Sequence, residues 1–215
     1  MPSWFRGSKT NYEKSFEIRC GTGFRSMIEE QHKFSDCDRF ENFVTQNTSE
    51  KIFHITRHIN YCSIIQDGYI KGGINETSTW GTDSSFFCNL GCVCLINNKS
   101  SYRVDLSSEE GLTYYWKFPF ADARFISRYC KDKVVYLILK DEISQDLISW
   151  QTWKDEEKLR ERVVPYYEAG YKGNLPLSLV EKALVLELNF QEETGVVRQL
   201  ELARLKCADK LHKSL

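Results

Sequence analysis

The stretch KIFHITRHINYCSIIQDGYIKGG, Lys51 to Gly73, decides how the chain is read. Its first seven residues read as a strand, in which successive side chains point to opposite faces. His54 and Thr56 therefore share one face, and Phe53 and Ile55 pack behind on the other. From Asn60 to Asp67 the pattern turns helical, with Gly68 standing where a C-cap belongs. Asn60 then heads this helix, close to the polar face. A helix start offers unpaired N–H groups and favours anions, so the arrangement suits a phosphate-bearing ligand. The same spacing also suits a histidine satisfied inside a core and an asparagine that only caps its helix.

Around this stretch lie 215 residues, 41% of them hydrophobic, which supports one sizeable core. The net charge of −1 gives no overall pull toward nucleic acid or an anionic membrane, so any such attraction needs a local patch. An aromatic content of 13% excludes a disordered chain. No stretch has the apolar length of a membrane span, and the N-terminus lacks the apolar core of a signal peptide. These features predict a cytoplasmic protein with no membrane partner. Its eight cysteines are then expected as reduced thiols. In FFCNLGCVC, Cys88, Cys92 and Cys94 lack the paired spacings or histidine partners of a zinc site. Cys92 and Cys94 alternate with Val93 and Leu95 as on a buried strand, so no metal is expected.

The remaining pattern predicts an α+β class. Residues 1–50 read as a helical N-terminal extension, with helices over FRSMIEEQHKF and DCDRFENFVTQ, the second capped by Ser35 or Asp36. Residues 51–215 read as a catalytic domain that forms one compact unit with it. GCVCLIN, KVVYLILK and ALVLELN are expected strands. PFADARFISRYCKDK, EISQDLISW, KDEEKLRER and Val196 to Leu211 are expected helices, and LSLVEKA a helical turn. No repeat or flexible linker interrupts the chain.

A second constellation is YYEAGYKGNLPLSLVEKALVLEL, from Tyr166 to Leu188. Glu168 stands beside Tyr166 and Tyr167 and before a glycine turn. A carboxylate in an aromatic setting can act as a base or stabilise a developing cation, although one glutamate alone is also an ordinary surface residue.

Taken together, HITRHIN followed by SIIQDGYI, and the later YEAGYKGNLPLSLVEKALVL, resemble ADP-ribosyltransferases of the DarT type. In that family a histidine, a threonine two residues on and an asparagine six residues on open an NAD pocket. A later glutamate precedes a glycine-proline loop, a short helix and a final strand. The resemblance spans roughly residues 51 to 190 as a framework, with residue matching at its two ends. It implies a split two-sheet α+β core in which His54 and Glu168 face one cleft. His54, Thr56 and Asn60 would hold NAD, and Glu168 would be catalytic without any metal. Losing nicotinamide leaves positive charge on the ribose carbon, which a carboxylate can stabilise.

The chain departs from the family in one place. The family carries an arginine between the opening motif and the second strand, and none occurs from Ile70 to Tyr102. Lys99 and Arg103 are the nearest cations, with Arg57 a further candidate. Lysine binds phosphate as a point charge and lacks the bidentate fork.

The acceptor is read from further features. Arginine-modifying members of the wider superfamily place a Glu or Gln two residues before the catalytic glutamate, where this chain has Tyr166. Tyr166 and Tyr167 suit stacking on a base as well as packing. In ADARFISRYCKDK, Arg124, Arg128 and Lys131 fall on one helical stripe that could meet phosphates or stay solvated. The resemblance therefore implies a toxin or anti-phage effector that modifies a nucleobase in DNA or RNA, with an antitoxin or chaperone as a possible partner. An NAD glycohydrolase or a protein-directed transferase would use the same groups. A catalytically inactive nucleotide- or partner-binding module is the alternative from another class.

Overall fold

The run VVYLIL, Val134–Leu139, is apolar at every position, and all six residues are buried. Only a strand covered on both faces accommodates such a run. It forms β6, and the rest of the sheet is laid out on either side of it. The computed structural model describes residues 14–19, 26–73, 85–99, 123, 126–127, 130–155, 163 and 167–189. On one side of β6 come β10 (Val180–Leu188), β2 (Ser26–Phe34) and β1 (Lys14–Arg19). On the other come β3 (Ile52–Arg57), β5 (Cys92–Asn97), β8 (Glu168–Lys172) and β7 (Leu147–Ser149). β2 and β10 run parallel, and every other neighbouring pair is antiparallel. A second sheet pairs β4 (Tyr69–Ile70) with β9 (Leu175–Pro176). The α+β class read from the sequence holds.

Each face of the sheet carries its own helix. Ile52, Leu95, Val135, Leu137 and Val185 lie under Tyr61 and Ile64 of α2 (His58–Asp67). Phe53, Ile96, Tyr136, Leu184 and Leu186 lie under Phe40 and Val44 of α1 (Cys37–Thr48). A third cluster closes the β7–β8 end, where α3 (Phe86–Asn89) brings Phe86 and Phe87 against Trp150 and Trp153 of α4 (Trp150–Asp155). Among the described residues, no helix is long and apolar enough to cross a membrane.

Several expected elements stand where the sequence put them. Asp36 caps α1, its carboxylate accepting the Arg39 N–H at 2.8 Å. Gly68 ends α2 with φ of 78°, and its N–H reaches the Ile64 carbonyl. Of the turn expected over LSLVEKA, only Leu177–Leu179 turns, in a short 3-10 segment, and Val180 to Ala183 already belong to β10. Others need correction. FRSMIEEQHKF is expected to be helical, yet Ser26–Phe34 is the strand beside β10. Residues 26–34 thus belong to the main sheet, and the expected helical extension contributes two strands and one helix. α2 begins at His58, before Asn60. EISQDLISW divides into a 3-10 segment (Asp141–Asp146), β7 and the start of α4. The expected helix over Val196 to Leu211 lies outside the described residues, as does most of PFADARFISRYCKDK and KDEEKLRER.

The misreading of β2 has a physical cause. Its core-facing positions include a carboxylate, which hides the strand alternation. Glu29 is 7% exposed, and Tyr61 Oη donates to one of its oxygens at 2.7 Å while Gln31 Nε2 donates to the other at 2.8 Å. The bond from Tyr61 ties α2 to β2. Replacing Tyr61 with Phe deletes a donor to a buried carboxylate, a loss that costs roughly 1–3 kcal/mol. A lowered urea midpoint with an unchanged transition slope is the expected result, and an unchanged midpoint would contradict it.

Candidate functional site at a fork in the sheet

β3 and β5 pair at only two positions, Ile52 with Asn97 and Phe53 with Ile96. Had the ladder continued, Ile55 would lie opposite Cys94. Instead β3 runs on with β6, pairing His54 with Leu137 and Thr56 with Val135. β5 runs back with β8, pairing Cys94 with Gly170. Where the two strands part, carbonyls on the β5 edge lose their strand partners, and leaving a buried carbonyl unpaired costs about 1–3 kcal/mol.

Two groups repair this edge. His54 Nδ1 lies 2.9 Å from the Cys94 carbonyl oxygen. The Gly73 N–H donates to the Cys92 carbonyl at 3.1 Å. That approach depends on Gly72, where a Cβ would sit 2.2 Å from the Gly173 carbonyl oxygen and 2.7 Å from that of Gly91. A carbonyl only accepts, so Nδ1 of His54 carries the proton. Burial lowers the His54 pKa, and the bond to Cys94 only partly opposes it. The ring is therefore neutral near pH 7, and Nε2 presents a lone pair.

Glu168 is the first residue of β8 and lies across from Ile96. Phe53, Ile96 and Glu168 form one row of pairs, so Glu168 shares their face of the sheet. His54 and Thr56 leave β3 on the opposite face. Strand alternation therefore sets His54 and Glu168 on opposite faces of the sheet. They converge at Cys94 from two sides. His54 takes its carbonyl, and the charge of Glu168 acts on its thiol.

Other expected site residues are placed differently. Thr56 is buried, and on β3 it pairs with Val135 of β6. Asn60 is the third residue of α2, whose N-cap is Arg57 with no capping side chain. Asp132 sits at that helix start, accepting the Ile59 N–H at 3.2 Å and lying 3.5 Å from Arg57 Nε. The favourable position for a phosphate is already taken by a carboxylate. Lys99 Nζ is held by Asp141 at 3.0 Å and Ser144 Oγ at 2.9 Å, beyond the closed end of the fork. It does not reach the open end. Tyr167 is a core residue under α1, 2% exposed, and offers no stacking surface. Tyr166, Arg103, Arg124 and Arg128 lie outside the described residues.

The sequence reading weighed the cysteines as metal ligands or as buried strand thiols, and so missed a polar cluster whose pKa values Glu168 affects. Cys88 Sγ lies 3.4 Å from Cys94 Sγ, and Ser85 Oγ lies 3.6 Å from the same sulfur. The hydrogen bond from Cys94 draws the Cys88 thiol down to about 7, aided by Ser85 and opposed by burial and the Glu168 charge. The same bond, with burial, pushes Cys94 well above the usual thiol range. Among the described residues, no group of three or more His, Cys, Asp or Glu side chains could hold a metal ion.

Two outcomes test this chemistry. The folded pKa of His54 is lowered, so between that value and 6.5 the unfolded chain binds more protons. The neutral ring's contribution is full above 6.5 and falls as pH drops below it. Thermal melts should lose stability with acidification in that window, and His54→Asn, which keeps a donor for Cys94, should flatten the difference. An equal slope in both proteins would contradict a neutral, partly buried ring. For Cys88, the pH profile of iodoacetamide labelling should have its midpoint near 7. Cys94→Ala should move that midpoint up toward an ordinary thiol, and an unmoved midpoint would show that Cys94 does not set it.

No family model, curated protein or solved structure matches this chain.

Proposed function

We propose that the chain is an NAD-consuming mono-ADP-ribosyltransferase whose acceptor is a nucleobase in DNA or RNA, acting as a toxin or anti-phage effector. The observation that carries this reading is the fork, where a neutral His54 bonds the Cys94 carbonyl from one face of the sheet and the charge of Glu168 acts on the Cys94 thiol from the other. The sequence resemblance implies a split two-sheet core, and β3 and β5 part within the larger sheet here. Nε2 of His54 suits a ribose hydroxyl, which donates to a lone pair. Glu168 suits the positive charge that appears on the ribose carbon as nicotinamide leaves, and it can take a proton from the incoming nucleophile. Since the two side chains leave the sheet on opposite sides, this reading requires the sugar to lie in the fork itself.

A second reading, a catalytically inactive nucleotide- or partner-binding module, is favoured by the state of the cations. Arg57 is paired with Asp132 and Lys99 with Asp141, so neither is set toward a diphosphate. An NAD glycohydrolase would differ from the transferase only in using water as acceptor.

The experiment follows NAD, DNA, RNA and lysate proteins by mass spectrometry during incubation with the protein. Glu168→Gln removes the charge and keeps the shape. Loss of a positioned acid or base group typically costs on the order of 10² to 10⁴ in rate, so turnover should fall at least that far while KM changes little. His54→Ala should weaken NAD binding instead. Full turnover by the Glu168 variant sinks the catalytic assignment. No NAD consumption by either form, with every acceptor present, selects the binding module.

A further inference from the structure

We propose that Cys88 and Cys94 form a built dithiol, a modification site that closes to a reversible disulfide under peroxide-class oxidants. Three features of the fold place them together. α3 ends in a turn at Gly91, where φ of 73° suits glycine and the N–H returns to the Cys88 carbonyl at 2.9 Å. This turn doubles the chain back, so Cys88 comes over the face of β5 that carries Cys94. Across from Cys94 stands Gly170, which has no side chain, and the Phe87 ring lies 2.4 Å from where its Cβ would be. The two sulfurs are thus brought to 3.4 Å, against about 2.05 Å in a disulfide. Side-chain torsion at Cys88 of α3 and Cys94 of β5 can supply that difference.

Their chemistry is divided as the reaction needs. Cys88 is half-buried and holds its thiolate near neutral pH, because Cys94 and Ser85 hydrogen-bond to it. Cys94 stays a thiol and waits beside it. In the first step the Cys88 thiolate attacks one oxygen of hydrogen peroxide. The O–O bond breaks, hydroxide leaves, and the sulfur is oxidised to a sulfenic acid. The Cys94 thiol then attacks that sulfur. The S–S bond forms, hydroxide is expelled, and it leaves as water with the proton from Cys94. Two equivalents of a thiol reductant reverse the change by exchange. Cys92 lies on the same face of β5 but is buried against the aromatic cluster of Phe86 and Phe87, so it is not the partner.

The test uses the full chain and needs no knowledge of its substrate. Reduced protein is treated with stoichiometric hydrogen peroxide, alkylated, digested without reductant and mapped by mass spectrometry. The expected product is an intramolecular Cys88–Cys94 link, two hydrogens lighter, which dithiothreitol reverses. Cys92→Ser should retain the link. Cys94→Ser should lose it and let dimedone trap Cys88 as the sulfenic acid. Full alkylation of both cysteines after peroxide, or a link from Cys88 to Cys92, would overturn the proposal. The wild-type map alone decides the matter if a variant fails to fold. Because nothing in the readout involves NAD, failure here leaves the catalytic reading standing, and failure of that reading leaves the dithiol standing.

Discussion

The hydrogen bond from His54 Nδ1 to the Cys94 carbonyl is the interaction on which the centre of this structure depends. A sheet that opens between two strands exposes main-chain groups which neither strand can satisfy. A side chain reaching back across the gap lets the strands part without abandoning those groups. Gly73 performs the same service two residues along, at Cys92. The opening is therefore held by specific donors, and each donor has its own structural requirement. His54 must be neutral to present Nε2 as an acceptor, and Gly73 must follow a residue with no Cβ. Burial meets the first requirement by keeping the ring neutral, and Gly72 meets the second.

Much of the sheet was legible in the sequence because burial leaves a compositional trace. VVYLIL, CVCLIN and ALVLEL read as strands since each is apolar over a strand's length, and Gly68 reads as a helix end since its left-handed backbone favours glycine. β2 was not legible, because its inward positions hold Glu29 and Gln31 as well as Met27, and it is completed by Tyr61 from a helix 32 residues away. A polar strand satisfied by distant partners gives no local signal. The class of fold thus follows from the pattern, whereas the number of strands does not.

The site was legible in its residue types and not in its faces. Alternation correctly groups His54 with Thr56, but it says nothing about which face of another strand a residue 114 positions later will share. That is decided by register, and here Glu168 falls in line with Phe53 through Ile96. Helix polarity misled in a similar way. A helix start attracts anions, yet the chain supplies its own in Asp132, which also neutralises Arg57. An electrostatic opportunity visible in a sequence is often already satisfied by a residue that the sequence places far away.

Electrostatics also links the carboxylate to the thiols. Glu168 raises the pKa of both Cys88 and Cys94, which means that its negative charge and a Cys88 thiolate repel each other across a partly buried space. That charge works against the hydrogen bonds from Cys94 and Ser85, and at Cys88 the hydrogen bonds prevail, since its thiol still falls to about 7. At Cys94 the same charge adds to burial and to the bond with Cys88, so this thiol keeps its proton. One carboxylate thus disfavours both thiolates, and only the sulfur that receives hydrogen bonds escapes it. A disulfide carries no charge, so closing the pair removes the repulsion that the Cys88 thiolate meets.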